Sequence, residues 1–599
     1  MPTVPSLDLQ ALRAAYRDGR FAPTDVVRTL YRHLAGAPDG IWIHRCDEAD
    51  ALARARALEA GDRSLPLWGI PFAIKDNIDV AGLPTTAGCP GFAYVAEQTA
   101  PVVERLLAAG AILIGKTNLD QFATGLVGTR SPYGACRNAF DPDVISGGSS
   151  AGSAVAVAAG LVSFALGTDT AGSGRVPAGL NNIVGLKPSL GLLSTGGVVP
   201  ACKSLDTLSV FALTVEDARQ VLVQAGAEVA DAALPAAFRF GVPAPSALEF
   251  FGDRCNGALF AQAVERLQLL GGEPVEIDFA PFVATAELLY EGPWVSERYA
   301  AIKVFFDRDA ERLLPVTRSI IGQGAHYSAV DLFQALYQLA ELRQAAGAIM
   351  AGVDLLVVPT VPRSYTIAEV EADPVTLNSR LGYYTNFVNM LDYCALAVPA
   401  ALRDDGLPFG ITLIAPAGCD AALAGLGSRF HRATGLAMGA TGVAVPEPER
   451  HVAPPATHGI RLAVVGAHLS GQPLNGQLTR RNGRLLGTCR TAPDYRLYAL
   501  AGTTPPKPGL ARVDAGASIE VEIWELDAAS FGSFVAEIPA PLGIGTLRLD
   551  DGSEVKGFIC EPFALADADD ITAYGGWRGY RAAVESSSPS ATVSQRPSR

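Results

Sequence analysis

Four short runs of apolar residues constrain this fold more than any other feature of the sequence. They read LWGIPFAIK, AILIGKTN, LVSFALGTD and DLLVVPT. A short run that stays apolar at successive positions is typical of a β-strand buried on both faces. Helical patterns cover residues 101–110, 149–160 and 330–350. The alternation of the two patterns predicts an α/β fold in which helices cover both faces of the sheet.

A Pro-rich stretch divides the chain. Residues 446–459 read PEPERHVAPPATHG, which is the composition of a domain linker. Beyond it the pattern is β-rich, with LAVVGAHL, RLYAL, SIEVEIWEL and VKGFICEPF. We therefore predict a first domain over residues 1–445, a linker over 446–459, a smaller α+β, barrel-like domain over 460–584 and a disordered tail over 585–599.

The charge of the chain excludes several classes of partner. The 599 residues include 47 Lys+Arg and 61 Asp+Glu, a net charge of −14. Nucleic-acid binding and polybasic membrane binding both need a basic surface, so neither is expected. Nearly all of the acidity lies in the first domain, because residues 460–599 hold 14 Lys+Arg and 15 Asp+Glu.

The uncharged stretch from Val144 to Thr168 is long enough to cross a bilayer, but it is rich in Gly, Ser and Ala. We interpret it as a buried helix followed by a buried strand. The nine cysteines form no CxxC pair, and the N-terminus lacks the apolar core of a signal peptide. These features predict a cytoplasmic location.

Two familiar patterns allow alternative functions. GAILIGKT, from Gly110 to Thr117, matches the phosphate-loop pattern and would bind a nucleotide through Lys116 and Thr117. Its spacer, however, is a strand-like run rather than a flexible loop. Residues 148–152 read GSSAG, a nucleophile-elbow pattern centred on Ser150.

A serine hydrolase built on that elbow would need a histidine later in the chain. His326, His431 and His451 are the candidates for that role. The elbow also requires a strand immediately before it, and FDPDVISG offers a very short one at most.

A third arrangement accounts for more residues at once. Ser149 lies in the Ser/Gly cluster SGGSSAGS, and Ser173 lies in a second glycine-containing loop, GTDTAGSGR. One helix and one strand separate them, an excursion that can return Ser173 to the neighbourhood of Ser149. Lys75 ends an apolar strand. Together these residues indicate a serine nucleophile activated by a lysine.

The blocks that carry these residues resemble the amidase signature family. They are GIPFAIKDNIDVAGLPTTAG, GAILIGKTNLDQFATG, ISGGSSAGSAVAVAAG and LGTDTAGSGRVPAGLNNIVGLKPSLG, within residues 65–200. The resemblance implies a mixed β-sheet between helices, with Ser173 as nucleophile, Ser149 as a bridging cis-peptide serine and Lys75 as base.

The same resemblance implies an oxyanion hole formed by backbone N–H groups of the nucleophile loop. In this chain that loop contains Thr170, Ala171 and Gly172. Many family members have Gly-Gly-Ser where this chain has Ala-Gly-Ser. A backbone donor survives that change.

Residues 288–302, LLYEGPWVSERYAAI, are similar to a segment of the allophanate hydrolases, a branch of that family. The resemblance implies ATP-independent hydrolysis of allophanate to ammonia and carbon dioxide. Allophanate is a small anion, and an acidic protein needs a local cation with planar donors to hold it. We assign Tyr290 and Arg298 to substrate recognition; a helix-packing tyrosine and a surface arginine are the alternative.

The C-terminal region resembles the γ-glutamyl cyclotransferase-like fold, although Val465 to Leu469 read VGAHL in place of the usual YGSL. The resemblance to allophanate hydrolases implies that this domain decarboxylates the first product, an N-carboxycarbamate. His468 is the candidate residue, and a structural role for it is the alternative.

Other members of the family remain rivals: a malonamidase-like enzyme, or the glutamine-hydrolysing component of an aminoacyl-tRNA amidotransferase, which would not be expected to carry residues 460–599. No metal is expected because the sequence has no HExxH pattern and its histidines do not cluster. No organic cofactor is expected either. The resemblance implies that another enzyme supplies allophanate, and both association with that enzyme and homo-oligomerisation stay open.

Overall fold

The computed structural model describes residues 6–229, 233–447, 459–481 and 483–587. The chain divides into two compact units, residues 1–447 and 448–599. The unit boundary falls inside the predicted linker, most of which lies outside the described residues.

The first unit contains fifteen strands among its described residues. They are β1 (Trp42–Arg45), β2 (Pro71–Lys75), β3 (Pro84–Thr85), β4 (Tyr94–Val95), β5 (Ile112–Thr117), β6 (Phe164–Asp169), β7 (Val184–Lys187), β8 (Thr207–Ala212), β9 (Phe238–Pro243), β10 (Gly272–Ile277), β11 (Leu355–Pro359), β12 (Tyr393–Leu402), β13 (Pro408–Pro416), β14 (Ala437–Met438) and β15 (Val443–Ala444).

The described part of this unit also contains sixteen α-helices. They are α1 (Leu9–Arg17), α2 (Pro23–Leu34), α3 (Glu48–Glu59), α4 (Pro101–Ala108), α5 (Ala151–Ala158), α6 (Arg175–Leu180), α7 (Val215–Gln224), α8 (Arg254–Leu269), α9 (Ala280–Glu291), α10 (Val295–Asp309), α11 (Pro315–Gln323), α12 (Ala329–Met350), α13 (Ile367–Ala372), α14 (Thr376–Leu381), α15 (Phe387–Met390) and α16 (Asp420–Ala433).

Eleven of the strands form one mixed sheet in the order β1-β5-β2-β6-β8-β7-β12-β13-β11-β9-β10. Strands β5, β2 and β6 run parallel, whereas β6, β8, β7, β12, β13 and β11 pair antiparallel in succession. The four apolar runs of the sequence became β2, β5, β6 and β11. Every residue of β2, β6 and β11 is buried, as strands covered on both faces must be. The predicted α/β architecture is confirmed.

The uncharged stretch from Val144 to Thr168 forms the buried helix α5 and most of the buried strand β6, as predicted. Among the described residues, no helix combines the length and apolarity that crossing a bilayer requires.

The second unit contains a smaller pair of sheets. Its described elements are β16 (Ile460–Val464), α17 (Gly476–Thr479), β17 (Arg484–Arg490), β18 (Tyr495–Ala499), β19 (Pro508–Arg512), β20 (Glu520–Leu526), α18 (Ala528–Val535), β21 (Leu542–Arg548), β22 (Glu554–Cys560), β23 (Asp569–Asp570) and α19 (Trp577–Ser587). Five strands pair in the order β17-β20-β16-β22-β21, and three pair in the order β19-β18-β23. This is the smaller, β-rich domain that the sequence predicts.

Helix α19 extends three residues, 585–587, into the segment predicted to be a disordered tail. Trp577 is buried and Tyr580 packs against the core, which gives the helix an apolar anchor. The Ser586 hydroxyl donates to the Ala583 carbonyl at 2.9 Å, so a Ser-rich end is compatible with the last turn. Residues 588–599 lie outside the described part of the chain.

Candidate active site

The three residues proposed as a catalytic set lie at the ends of neighbouring elements. Lys75 is the last residue of β2, Ser149 lies just before α5, and Ser173 lies between β6 and α6. Strands β2 and β6 pair in parallel, so their carboxyl ends share one edge of the sheet. The loop that follows β6 therefore begins beside Lys75.

Hydrogen bonds join these three side chains into a chain. Lys75 Nζ donates to Ser149 Oγ at 2.8 Å, and Ser149 Oγ donates to Ser173 Oγ at 2.9 Å. All three residues are buried, and the Gly148–Ser149 peptide bond is cis. Since a hydroxyl both donates and accepts, Ser149 is placed to pass a proton between Ser173 and Lys75.

Lys75 has an unusual setting for a lysine. Besides Ser149, its Nζ donates to Thr168 Oγ1 at 2.7 Å, and both of these partners are neutral hydroxyls. Burial lowers the pKa of Lys75 to about 7, although the carboxylates of Asp120, Asp206 and Asp169 act to raise it. A buried amine with this pKa is present in both its charged and neutral forms near neutrality.

Those three carboxylates are held by other groups. Asp169 pairs with Arg175 at 2.9 Å, and both side chains are fully buried. Asp206 accepts from Thr170 Oγ1 at 2.5 Å, and Asp120 accepts from the Arg130 backbone N–H at 2.9 Å. They therefore fix the loops around Lys75 rather than pairing with it.

The nucleophile loop needs glycine at its centre. Gly172 has φ of +141°, and a Cβ there would lie 2.4 Å from Thr385 Oγ1. Within the described residues, the backbone N–H groups of Ala171, Gly172 and Ser173 have no acceptor. Ala171 and Gly172, two of the three residues assigned to the oxyanion hole, therefore have backbone donors available for that role. The third residue, Thr170, donates its hydroxyl to Asp206.

Tyr290 and Arg298 face each other across the break between α9 and α10. The guanidinium carbon of Arg298 lies 5.4 Å from the Tyr290 ring centroid, and Nη2 donates to the Tyr290 hydroxyl at 3.4 Å. Nη1 donates to the Ala123 carbonyl at 3.2 Å and to Thr124 Oγ1 at 3.1 Å.

Arg298 is buried, which argues against a surface role for it. No carboxylate lies within ion-pair distance of it among the described residues, and its Nε has no hydrogen-bond partner there. The charge of Arg298 also acts to lower the pKa of Lys75. The first unit thus holds a buried cation that has no carboxylate in ion-pair contact among the described residues, although the charges of Asp206 and Glu297 act on it from a longer distance. Its field reaches Lys75.

Several residues of this site were missed from the sequence. Thr168 and Asp169 lie in the block that supplied Ser173, and the polar end of an otherwise apolar strand was a usable signal for them. Thr385 had no such signal: its hydroxyl is buried, has no hydrogen-bond partner among the described residues and lies against Gly172, but it comes 212 residues after Ser173 in the chain.

The structure does not favour the phosphate-loop alternative. Its pattern falls in β5, whose Lys116 pairs with Asp76 at 3.0 Å and donates to Thr85 Oγ1 at 2.6 Å. Thr117 Oγ1 is hydrogen-bonded to Ser153 Oγ at 2.7 Å. Neither side chain is left to hold a phosphate.

The structure does not favour the nucleophile-elbow alternative either. Ser150 Oγ donates to the Thr168 carbonyl at 3.1 Å and accepts from the Thr168 N–H at 3.3 Å, so it bonds to β6. His431 is buried and neither ring nitrogen has a hydrogen-bond partner within the described chain. Burial lowers its pKa to about 4. His326 is exposed, and His451 lies outside the described residues.

His468 lies in the second unit, in the loop after β16. Its ring stacks on Phe558 at 5.0 Å and its Nε2 is 2.8 Å from Gln477 Oε1. Burial lowers the pKa of His468, and the nearby charge of Lys507 acts in the same direction. The residue lines a cavity of about 180 Å³ that also includes Gln477, Lys507 and Phe558.

Comparisons with known proteins cover both units. Residues 25–424 match the family described as Amidase, and residues 460–582 match the family described as Allophanate hydrolase C-terminal domain. The chain is 46% identical over 573 residues to a Saccharomyces cerevisiae protein named urea amidolyase. That match covers 90% of this chain and 31% of the yeast protein, so the chain spans about a third of that relative's length.

The solved structure of selenomethionine-substituted Kluyveromyces lactis allophanate hydrolase is similar over 96% of this chain and 99% of that one, with 39% identity and a TM-score of 0.73. A component of the glutamyl-tRNA(Gln) amidotransferase of Prochlorococcus marinus is 34% identical, but that match covers only 61% of this chain and 84% of that protein.

Proposed function

Since this chain belongs to the amidase family, we propose that it hydrolyses the terminal amide of allophanate at the site formed by Lys75, Ser149 and Ser173. The observation that carries the proposal is the buried hydrogen-bond chain from Lys75 to Ser173, together with a buried arginine, Arg298, whose charge acts on Lys75 and which has no ion-paired carboxylate among the described residues. Similarity to an allophanate hydrolase along nearly the whole chain supports the choice of substrate.

The reaction begins with attack by Ser173 Oγ on the terminal carbamoyl carbon. The Ser173 proton passes through Ser149 to the neutral amine of Lys75, and the same path returns a proton to the departing ammonia. Water then attacks the acyl-enzyme by the same route and releases Ser173. The balance is the allophanate anion plus water giving ammonium and the N-carboxycarbamate dianion.

Burial of Lys75 makes this chemistry accessible near pH 7. At its ordinary pKa of 10.5, converting the lysine to its neutral form at pH 7 would cost about 5 kcal/mol. A pKa of about 7 removes almost all of that cost. The backbone N–H groups of Ala171 and Gly172 are available to stabilise the oxyanion, and each such donor typically contributes about 3–4 kcal/mol.

The substrate carboxylate is assigned to Arg298. The protein is acidic overall, so long-range attraction does not recruit the anion, and a local buried cation is required. Tyr290 supports the guanidinium through its ring and hydroxyl. A planar, multidentate donor of this kind suits a carboxylate better than an ammonium group does.

The second unit is assigned the conversion of the product that the first unit releases. N-carboxycarbamate still has to lose carbon dioxide and its second ammonia, and the cavity beside His468 is the candidate place for that step. Its match to the allophanate hydrolase C-terminal family supports this assignment.

Another enzyme is expected to supply allophanate. This chain aligns with about a third of the length of the relative named urea amidolyase. We also expect the protein to work in the cytoplasm, because all nine cysteines are free thiols.

The proposal is tested by measuring ammonia release from allophanate in the absence of ATP. Ser173→Ala is expected to abolish the release, whereas Ser194→Ala, on an exposed loop, is the matched control. Arg298→Ala is expected to raise KM for allophanate far more than KM for the uncharged propionamide. Equal turnover of allophanate, malonamide and propionamide would contradict the substrate assignment, and preferential hydrolysis of glutamine would favour the amidotransferase alternative.

A further inference from the structure

The cavity of the second unit is bordered by two segments that lie against each other. One is the loop from Val465 to Leu469, which carries His468, and the other runs from Thr504 to Pro508. A Cβ on Gly466 would lie 2.3 Å from Pro508 Cδ, so only glycine allows this close approach. The geometry therefore holds Lys507, which precedes Pro508, next to the His468 loop.

The His468 loop presents hydrogen-bond donors. Within the described residues, the backbone N–H groups of Gly466, Ala467 and His468 have no acceptor. The far end of the loop is fixed, because Glu522 accepts from the backbone N–H of Ser470 at 2.8 Å and from its hydroxyl at 3.0 Å. Successive backbone N–H groups in a constrained loop form an anion-binding concavity.

Lys507 supplies an uncompensated positive charge at the same cavity. Its backbone is held on both sides, since its N–H donates to Thr503 Oγ1 at 2.9 Å and its carbonyl accepts from the Leu500 N–H at 3.1 Å. No carboxylate of the described chain forms an ion pair with its side chain. The carboxylate that lines the cavity, Glu537, is paired with Arg481 at 2.6 Å.

We propose that Lys507 and the backbone N–H groups of Gly466 to His468 bind the two carboxylates of N-carboxycarbamate, so that the second unit selects this dianion and rejects allophanate. The inference rests on the proposed function, because it takes the product of the first unit as the ligand of the second.

The two molecules have the same skeleton and differ at one end. Allophanate has an amide where N-carboxycarbamate has a second carboxylate. A pocket lined by Lys507 and backbone N–H groups offers donors, which pair with a carboxylate but not with the NH2 group of an amide. Enzymes discriminate most strongly when the wrong ligand leaves such polar groups unpaired.

This selectivity would fix the order of the two reactions. In the second step the bond between nitrogen and one carboxylate carbon breaks, carbon dioxide leaves, and the bond's electron pair stays on nitrogen, which takes a proton from the medium. The same cleavage applied to allophanate would give urea and carbon dioxide before any amide had been hydrolysed. A pocket that requires two carboxylates can act only after the Ser173 site has hydrolysed the terminal amide.

Malonate and malonamate are stable probes of this difference, because they replace the central NH of each molecule with CH2. Binding is followed by the NMR signal of the His468 ring in the full chain carrying Ser173→Ala, so that malonamate is not hydrolysed. The chain has seven histidines, and His468→Gln assigns the signal. We expect malonate to perturb this signal with a Kd at least tenfold lower than that of malonamate.

The variant Lys507→Met should abolish the preference for malonate, and Lys507→Arg should restore most of it. Lys556→Met is the matched control, because the Lys556 ammonium bonds to Thr546 Oγ1 on an exposed strand pair. Thermal unfolding of each variant shows whether the second unit is folded. Equal affinities for the two probes, or a preference that survives Lys507→Met in a folded protein, would overturn the inference.

A separate measurement shows which proposal has failed. If allophanate yields no ammonia, the proposed function is wrong. If ammonia is released and ¹³C-labelled N-carboxycarbamate accumulates in His468→Gln but not in Lys507→Met, the proposed function stands and the role given to Lys507 does not. Accumulation in both variants, with none in Lys556→Met, supports both.

Discussion

Two lysines on neighbouring strands of the large sheet have opposite surroundings. Lys75 ends β2 and Lys116 lies near the end of β5, and the strands pair in parallel with Ile74 opposite Lys116. Both side chains are fully buried, and burial lowers the pKa of each. Lys116 has a carboxylate, Asp76, at 3.0 Å, whereas the hydrogen-bond partners of Lys75 are hydroxyls.

The difference teaches how one sheet edge supports both structure and chemistry. A carboxylate beside a buried ammonium favours its charged form, so such a pair can serve the fold. A buried ammonium that finds only hydroxyls is destabilised relative to its neutral form, and a neutral amine is a base. Lys116 therefore belongs to the scaffold, and Lys75 is the group proposed to accept the proton of Ser173.

The sharpest test of this comparison is Lys75→Met. We expect kcat/KM for ammonia release to fall by about 10⁴-fold, roughly 5 kcal/mol, because the proposed general base is lost. The fold should survive, since no carboxylate loses a partner at this position. Activity is measured from initial rates of ammonia release, with thermal unfolding as the control. Retention of more than a tenth of the activity would mean that another group takes the Ser173 proton.

The counterpart, Lys116→Met, should act on stability instead. It leaves the Asp76 carboxylate buried without its cation, which typically destabilises a protein by about 3–5 kcal/mol. Denaturant unfolding measures the change. Pairing the substitution with Asp76→Leu should recover part of the stability because no unpaired charge remains. If Lys116→Met abolished activity while stability stayed unchanged, the distinction between the two lysines would be wrong.

The sequence predicted the elements at this edge better than their contacts. Strands β2 and β5 could be predicted because a short run of consecutive apolar residues is typical of a strand buried on both faces. The resemblance between sequence blocks then assigned Lys75, Ser149 and Ser173. Nothing in the sequence showed that Lys116 meets Asp76, because that contact depends on which strands are neighbours in the sheet.

Other parts of the site depended on still longer-range packing. The burial of Arg298 follows from contacts with Ala123 and Thr124, about 175 residues earlier in the chain. The position of Thr385 against Gly172 likewise requires the assembled fold. Local patterns fix strands, caps and loops, whereas the lowered pKa of Lys75 is a property of the whole assembled interior.

The pH dependence of activity should report the protonation of Lys75. Lys75 must be neutral to accept a proton, so the rate of ammonia release should rise with pH to a plateau, with a midpoint at about 7. At pH 6 the rate should be about one tenth of the plateau, since each unit below the pKa reduces the neutral fraction tenfold. A midpoint near the ordinary lysine value would contradict the proposed role.

The free energy of unfolding should also depend on pH, because Lys75 has different pKa values in the folded and unfolded chains. The pKa of Lys75 is about 7 in the folded chain and 10.5 as its ordinary value, so the unfolded chain binds more protons between these pH values. Stability contributed by this residue therefore increases as pH rises from 7 to 10.5. Compared with the natural chain, Lys75→Met should be more stable at pH 7, and the advantage should shrink towards pH 10.

The smallest expected effect comes from Thr168→Val, which removes one of the two hydroxyls that accept from Lys75. Because that hydrogen bond favours the charged amine, its loss should lower the pKa of Lys75 and move the midpoint of the rate profile to lower pH, by roughly half a unit to one unit. Thr117→Val is the matched control. Its hydroxyl bonds to Ser153 and to the Ile74 carbonyl rather than to a lysine, so it should change stability but leave the midpoint in place. A midpoint that moves equally in both variants would show that packing, and not the hydroxyl partners of Lys75, determines when this lysine loses its proton.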